Sequence, residues 1–156
     1  MKILLIFTGK ISEKYLIDPI DDYLNRIRHY FPVELHVTRE LRLQSFTDKE
    51  ALKRAEAEEI FKRIEPSDYL VLLDERGQNL SSLEFARFID NQVNKNIRRM
   101  VFVVGGAYGF AGELYQRAHM LLSLSRMTFT HQMVRLILAE QLYRACTILR
   151  GEPYHH

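Results

Sequence analysis

The sequence predicts an α/β protein with an open parallel sheet and helices on both faces. Short apolar segments alternate with helical segments along nearly the whole chain. The segments at 2–8, 69–74 and 100–104 are almost continuously apolar, which is typical of strands buried on both faces. No Pro/Gly/Ser-rich linker or internal repeat interrupts the alternation, so residues 1–156 are expected to form a single domain.

The first strand is predicted at 2–8, where an apolar run is bounded by glycine. A helix is predicted next, with Asp18 as its N-cap and Pro19 at its first position, since proline has no amide hydrogen to lose there. This helix is expected to end before Pro32, because the residue preceding a proline disfavours helical backbone.

Apolar and polar residues alternate at 33–38, which predicts a half-buried strand. Residues 39–46 mix basic and apolar side chains and are interpreted as a loop. Residues 48–63 are rich in Ala, Glu, Lys and Arg, a strongly helical composition. The second buried strand follows at 69–74.

A capping box predicts where the next helix begins. Ser81 is followed three residues later by Glu84, so each side chain can satisfy an amide at the helix start. This helix is expected to run to about Asn94. The third buried strand, at 100–104, then ends at glycine.

The C-terminal third contains a short helix at about 112–118, a short strand at 120–123 and a long helix at about 130–149. The long helix is expected to stop at Gly151, because glycine tolerates the left-handed backbone that commonly ends helices.

The polar side of the last helix changes partway along its length. The polar residues of its first half are His131, Gln132 and Arg135, and those of its second half, on nearly the opposite side, are Glu140, Gln141, Arg144 and Thr147. A helix that only covers a sheet keeps one polar stripe. Burial against a second subunit explains the change, and an ordinary core helix with irregular polar contacts is the alternative.

Composition restricts the class of protein. The 156 residues are 47% hydrophobic and 27% charged, which is ordinary globular usage. The apolar runs are too short to span a bilayer, and 3–7 lacks the length and cleavage site of a signal peptide, so a cytoplasmic protein without a membrane partner is expected. The net charge of +2 permits contact with nucleic acid without indicating it.

Neither a disulfide nor a metal site is predicted. Cys146 is the single cysteine, so it has no partner for an internal disulfide or a thiolate zinc site. The six histidines are scattered and form no H-E-x-x-H motif.

A glycine cluster at 105–109 directly follows the third buried strand. Ligands of open parallel sheets bind beyond the carboxyl ends of the strands, where glycine lets the backbone approach closely. The spacing is not G-x-G-x-x-G, and no acidic residue lies about twenty positions downstream, so a dinucleotide-dependent oxidoreductase is disfavoured. A plain tight turn is the alternative interpretation.

The segment 124–131 joins the short strand to the last helix and combines hydroxyl, apolar, arginine and histidine side chains. Its backbone amides are placed to face a ligand at the same edge of the sheet. The alternative interpretation is that Thr128 or Thr130 simply caps the helix.

Several ordered blocks carry a family resemblance. They are Met1-Lys2-Ile3 with Gly9-Lys10, Leu73-Asp74 with Gly77, Val104-Gly105-Gly106 with Gly109, the uninterrupted block at 122–135, Glu140-Gln141-Leu142-Tyr143-Arg144-Ala145, and Arg150-Gly151-Glu152-Pro153-Tyr154-His155. On these blocks the chain resembles the RlmH family of the SPOUT superfamily, methyltransferases that modify a pseudouridine of large-subunit ribosomal RNA. Members commonly have proline where this chain has Thr130, which changes the stiffness of the loop.

The resemblance implies a C-terminal trefoil knot, which is a rare exception to the topology rules. It also implies a homodimer whose active site combines both subunits. The implied cofactor is S-adenosylmethionine. The implied methyl acceptor is N3 of a pseudouridine in 23S rRNA, at the position known as 1915 in helix 69. The implied substrate particle is the assembled ribosome. A non-catalytic, ribosome-associated RNA-binding factor is the alternative.

The resemblance also implies the site residues. Those of the cofactor pocket are Leu73, Gly105, Leu124, Ser125, Arg126, Met127, Thr128 and Phe129. His155 and Tyr154 are candidates to position or deprotonate the pseudouridine from a partner subunit, with His131 as a third candidate base. Arg135 and Arg144 are candidates to hold substrate phosphates or the uracil anion.

Overall fold

The computed structural model describes all residues, 1–156. Its elements, in chain order, are β1 (Lys2–Phe7), α1 (Lys14–Ile27), β2 (Val33–Val37), α2 (Lys49–Phe61), β3 (Tyr69–Asn79), α3 (Ser82–Asn94), β4 (Arg99–Val104), α4 (Gly112–Arg117), β5 (Met120–Ser123) and α5 (His131–Arg150). All strand pairs are parallel, and the order in the sheet is β2-β1-β4-β3-β5. The predicted fold class, an open parallel sheet between helices, is confirmed.

Alternate residues of the central strands enter two separate cores. In β1, Ile3, Leu5 and Phe7 pack with α1, α3 and α5 on one face of the sheet. Leu4 and Ile6 point to the other face and pack with α2 and α4. Because both faces are covered, the strands have to be apolar at nearly every position, which is the pattern that predicted them.

The predicted start of α1 is wrong by five residues. The helix begins at Lys14, and Pro19 lies inside it where Asp18 was expected to be the N-cap. Leu16 and Ile20 are almost fully buried against the sheet. Burial of this face stabilises the extra turn and offsets the one backbone hydrogen bond that proline cannot donate.

The predicted capping box of α3, the predicted Thr130 cap of α5 and the predicted end of α5 at Gly151 are confirmed. Ser81 Oγ accepts from the Glu84 amide at 3.2 Å, and the Glu84 carboxylate accepts from the Ser81 amide at 2.7 Å. Thr130 caps α5 by accepting from the Met133 amide at 3.2 Å. Gly151, with φ of 67°, ends α5 in the left-handed conformation.

β3 is longer than predicted because it contains a bulge. Leu73 and Gln78 both align with Leu122 of β5, so the four residues between them leave the ladder. A Cβ atom at Gly77 would lie 2.5 Å from the backbone carbon of Leu121. Only glycine fits there, and the bulge turns the polar residues after Leu73 toward the carboxyl edge of the sheet.

The polar residues of α5 find partners within the chain. Arg135 Nη2 donates to the carbonyl oxygen of Thr8 at 2.7 Å, and Gln141 accepts from Ser82 Oγ at 2.8 Å. These contacts account for the change of polar side without a second subunit. The dimer therefore remains a prediction that needs other support.

None of the helices is both long and apolar enough to cross a membrane. The structure also contains no group of three or more His, Cys, Asp or Glu side chains arranged to hold a metal ion.

Candidate functional site

A cavity of about 1080 Å³ opens at the carboxyl ends of β3, β4 and β5. Its walls are the end of the β1–α1 connection and the first turn of α1 (Ser12, Glu13, Tyr15), the β3 bulge (Leu73, Asp74, Glu75, Arg76), residues 104–110 with Tyr115, residues 122–125 and 127–134, and Lys53. Small-ligand pockets are typically about 300–1,000 Å³. The volume leaves room for a cofactor and part of a second reactant at the predicted edge of the sheet.

The glycine loop after β4 is tightly constrained. A Cβ at Gly105 would lie 2.9 Å from the ring of Phe110, and one at Gly106 would lie 2.8 Å from Glu56 Oε1. Gly109 has φ of +78°. A side chain at Gly105 would therefore push the Phe110 ring that lines the cavity. The loop is both a tight turn and a cavity wall.

The β5–α5 loop is shaped by two serines. Ser123 Oγ donates to the Ser125 carbonyl oxygen, and Ser125 Oγ accepts from the Met127 amide, both at 2.9 Å. Met127 is 75% exposed and Phe129 is 38% exposed, at the mouth of the cavity. Of the eight residues expected to hold the cofactor, seven line the cavity. The exception is Arg126, which is exposed outside it.

Three polar side chains form a network that was not predicted. Tyr115 donates to Asp74 Oδ2 at 2.5 Å, Arg76 Nε donates to Asp74 Oδ1 at 3.0 Å, and Arg76 Nη2 donates to Tyr115 at 2.6 Å. The hydrogen bond from Arg76 lowers the pKa of Asp74 to about 2, so its carboxylate stays ionised. The one available signal was the polar stretch 74–77 directly after a buried strand.

His131 and Arg135 lie close together but in different surroundings. His131 lines the cavity, and burial and the charge of Arg135 lower its pKa, so the imidazole is neutral at pH 7. Arg135 is fully buried and donates to the carbonyl oxygens of Thr8 and Lys10. Its Nη1 and Nη2 groups donate to these carbonyls, its Nε is buried without a partner, and Arg135 does not line the cavity. The structure therefore does not place it to contact substrate phosphates.

The C-terminal tail is packed against its own helix. The Tyr154 hydroxyl lies 3.2 Å from Glu140 Oε1 and 3.3 Å from the Tyr23 hydroxyl. The Arg144 guanidinium lies 4.8 Å from the Tyr154 ring centroid and also pairs with Glu140. Burial and the hydrogen bond with Tyr23 raise the pKa of Tyr154, which keeps the phenol protonated. His155 Nδ1 is buried without a hydrogen-bond partner.

The structure does not bring the tail and the cavity of one chain together. His131 lines the cavity, whereas Glu140, Arg144, Tyr154 and His155 do not. Glu140 is nine positions after His131 in α5, which is about 13.5 Å along the helix axis at the helical rise. The predicted catalytic residues therefore form two groups on one chain.

The chain is similar to known proteins over nearly its whole length. A family described as "Predicted SPOUT methyltransferase" matches residues 1–155. A Parabacteroides distasonis protein named "Ribosomal RNA large subunit methyltransferase H" is 46% identical over 156 residues, covering 100% of this chain and 99% of its own. Proteins of the same name from Porphyromonas gingivalis W83 and Bacteroides fragilis ATCC 25285 are 47% and 44% identical with the same coverage.

Proposed function

The chain belongs to the SPOUT methyltransferase family, and we propose that it methylates large-subunit ribosomal RNA. The finer proposal is transfer from S-adenosylmethionine to N3 of a pseudouridine in helix 69 of 23S rRNA. The observation that carries the proposal is the cavity at the carboxyl edge of the sheet, which contains nearly all of the expected cofactor residues. Full-length identity of 44–47% to proteins named as large-subunit ribosomal RNA methyltransferases supports the proposed methylation of ribosomal RNA. Family membership also implies the trefoil knot.

The residues around the cavity suit an adenosine-containing donor. Buried Gly105 lets backbone approach a ligand closely, and the turns of the 124–129 loop leave backbone groups and apolar side chains at the wall. Leu73 ends the regular part of β3 beside them. S-adenosylmethionine, when bound, supplies an electrophilic methyl group on a sulfonium. The main task of the chain is then to hold donor and acceptor in line.

A proton has to leave N3 of the pseudouridine, because this imide nitrogen is protonated at neutral pH. His131 lines the cavity as a neutral imidazole, the form that accepts a proton. Tyr154 is held protonated, so it serves as a hydrogen-bond donor and not as the base. His155, delivered by a second subunit, is the other candidate base.

We propose that the active form is a homodimer in which the tail of one subunit serves the cavity of the other. The tail lies away from the cavity of its own chain, so it can act only on a second copy. Four exposed apolar side chains line the cavity: Tyr15, Tyr108, Met127 and Phe129. A second subunit that covers them buries apolar surface and excludes water from the reaction.

The expected substrate is the assembled ribosome or its large subunit. The net charge of +2 is small for a protein that binds RNA by electrostatics alone. Specificity must then come from the shape of a folded RNA target together with a structured site.

Mass spectrometry of 23S rRNA from cells with and without the protein tests the function. We expect one methylated pseudouridine to lose its methyl group in the deletion strain and to regain it on complementation. Calorimetry with S-adenosylhomocysteine separates the enzyme from a non-catalytic ribosome-associated factor, which needs no donor site. Unchanged rRNA modification together with absent nucleoside binding would remove the proposed function.

A further inference from the structure

Arg76 stands at the mouth of the cavity with one nitrogen of its guanidinium free. Nε and Nη2 donate to the Asp74 carboxylate, and Nη2 also donates to Tyr115. Nη1 has no hydrogen-bond partner in the chain, and the side chain is 68% exposed although the residue lines the cavity. The two N–H bonds of Nη1 are therefore available to a reactant in the cavity.

The guanidinium that carries Nη1 is held in a fixed orientation. The Asp74 side chain is only 7% exposed, and its oxygens accept from the backbone amide and side chain of Arg76 and from Tyr115. The Tyr115 ring packs edge-on against buried Phe110, with centroids 5.8 Å apart. Arg76 lies in the bulge that Gly77 allows to form, so the position of its backbone is also fixed. A guanidinium held in this way loses little rotamer freedom when it binds.

We propose that Arg76 binds an oxyanion at the mouth of the cavity through its free Nη1 group. The inference rests on the proposed function, which supplies two sources of that chemistry: the carboxylate of the amino-acid part of the donor and a backbone phosphate of the RNA. Both accept charge-assisted hydrogen bonds from a guanidinium N–H. Lys53 also lines the cavity, but its ammonium group is paired with Glu50 at 2.6 Å.

The first arm of the test measures donor binding by calorimetry. Arg76→Gln removes the charge, and Arg76→Lys keeps the charge but not the planar fork. The probes are S-adenosylhomocysteine, which has the carboxylate, and methylthioadenosine, which is the same thioether nucleoside without the amino-acid part. If the donor is the source, Arg76→Gln weakens S-adenosylhomocysteine binding by about tenfold or more and leaves methylthioadenosine unchanged.

The second arm measures methyl transfer to large ribosomal subunits purified from the deletion strain. If RNA phosphate is the source, Arg76→Gln raises KM for the subunits with little change in kcat, and the salt dependence of kcat/KM loses about one unit of slope. Donor affinity then equals that of the wild type.

The matched control is Arg87→Gln, which removes the same charge from the exposed surface of α3. Arg76→Gln behaving like Arg87→Gln in both arms overturns the inference and leaves Arg76 as a surface ion pair, an interaction of small energetic value. A wild-type protein that neither binds S-adenosylhomocysteine nor methylates the subunits would instead overturn the proposed function, so the two failures are distinguishable.

Discussion

The Tyr154 hydroxyl lies 3.2 Å from Glu140 Oε1, so the C-terminal tail folds back along the helix that it follows. The phenol also packs edge-on against Tyr143, with ring centroids 4.8 Å apart. The tail is therefore an ordered part of the α1–α5 surface. It presents His155 on that surface, away from the cavity of the same chain.

Truncation after Pro153 is expected to reduce methyl transfer by on the order of a hundredfold, the scale of lost general-base and positioning help. The loss of Tyr154 packing should lower the melting temperature by only about 2–4 °C, since about 1 kcal/mol shifts a chain of this size by that amount. Single-turnover kinetics and calorimetry with S-adenosylhomocysteine measure the two effects. If the truncated protein kept full activity, the tail would have no part in methyl transfer.

A mixed dimer tests whether the tail acts on the partner. A subunit truncated after Pro153 is co-expressed with a Gly105→Val subunit, each carrying a different affinity tag, and the doubly tagged species is purified. One complete site forms in this dimer only if a tail serves the other subunit's cavity. We expect about half of wild-type activity per dimer. If the mixed dimer shows only background activity, the tail does not act on the cavity of the partner subunit. If the wild-type protein sediments as a monomer, a site shared between two subunits is excluded.

Gly105→Val should weaken donor binding by at least about tenfold, because the new side chain displaces the Phe110 ring, 2.9 Å from the added Cβ. The displacement reaches Tyr115, which packs on Phe110. Gly112→Ala is the control, since no atom lies within 4 Å of its added Cβ. Equal affinities for S-adenosylhomocysteine in the two variants would mean that Gly105 serves only the turn.

Gly77→Ala should destabilise the fold by about 3 kcal/mol or more, because its Cβ would meet backbone atoms of Leu121 and Leu122 at 2.5–2.6 Å. Leu121 and Leu122 belong to β5, which is hydrogen-bonded to β3, and such paired backbone cannot move aside as a side chain can. Urea unfolding gives the free energy of unfolding, again with Gly112→Ala as the reference. A change below about 1 kcal/mol would show that the bulge adapts.

Glu56 should make stability fall as pH rises toward neutrality. Burial against Gly106 raises its pKa to about 7, above the value near 4.5 in the unfolded chain. The protonated form is therefore favoured by folding, and its contribution is complete below about pH 4.5 and lost as pH rises through about 7.

The substitution Glu56→Gln removes this loss. The variant should melt about 2–6 °C above the wild type at pH 8, the equivalent of roughly 1–2 kcal/mol after allowance for partial exposure, and by less at pH 5. Glu58→Gln, at an exposed position of the same helix, is the control. If the difference in melting temperature between Glu56→Gln and the wild type were the same at pH 5 and pH 8, Glu56 would not be the source of the pH dependence.

Arg135→Met should loosen the connection between β1 and α1. The buried guanidinium donates to the carbonyl oxygens of Thr8 and Lys10, and methionine leaves both without these donors. We expect a loss of about 2–3 kcal/mol of stability and faster amide hydrogen exchange at 9–12. Donor affinity should fall as well, because Ser12 and Glu13 line the cavity. Unchanged exchange in this segment would show that Arg135 does not hold it.

Local patterns in the sequence determined the elements and the edge of the sheet where the cavity lies. Strands buried on both faces have to be apolar throughout, and caps such as Ser81 with Glu84 act within one helical turn. Both rules depend only on neighbouring residues, and they located every strand and most helix ends. These rules did not predict the start of α1. Burial of Leu16 by the sheet outweighed the local preference of Asp18 and Pro19 for the first positions of a helix.

Only the tertiary structure decided which polar groups work together. Asp74 and Tyr115 are 41 positions apart, and Arg135 reaches a carbonyl 127 positions away. Whether an arginine faces solvent or is fully buried depends on the partners that the whole chain supplies, because burial of a charge is tolerated only where hydrogen bonds replace its water. The direction of the tail likewise depends on Tyr23 and Glu140, which no local periodicity relates to Tyr154.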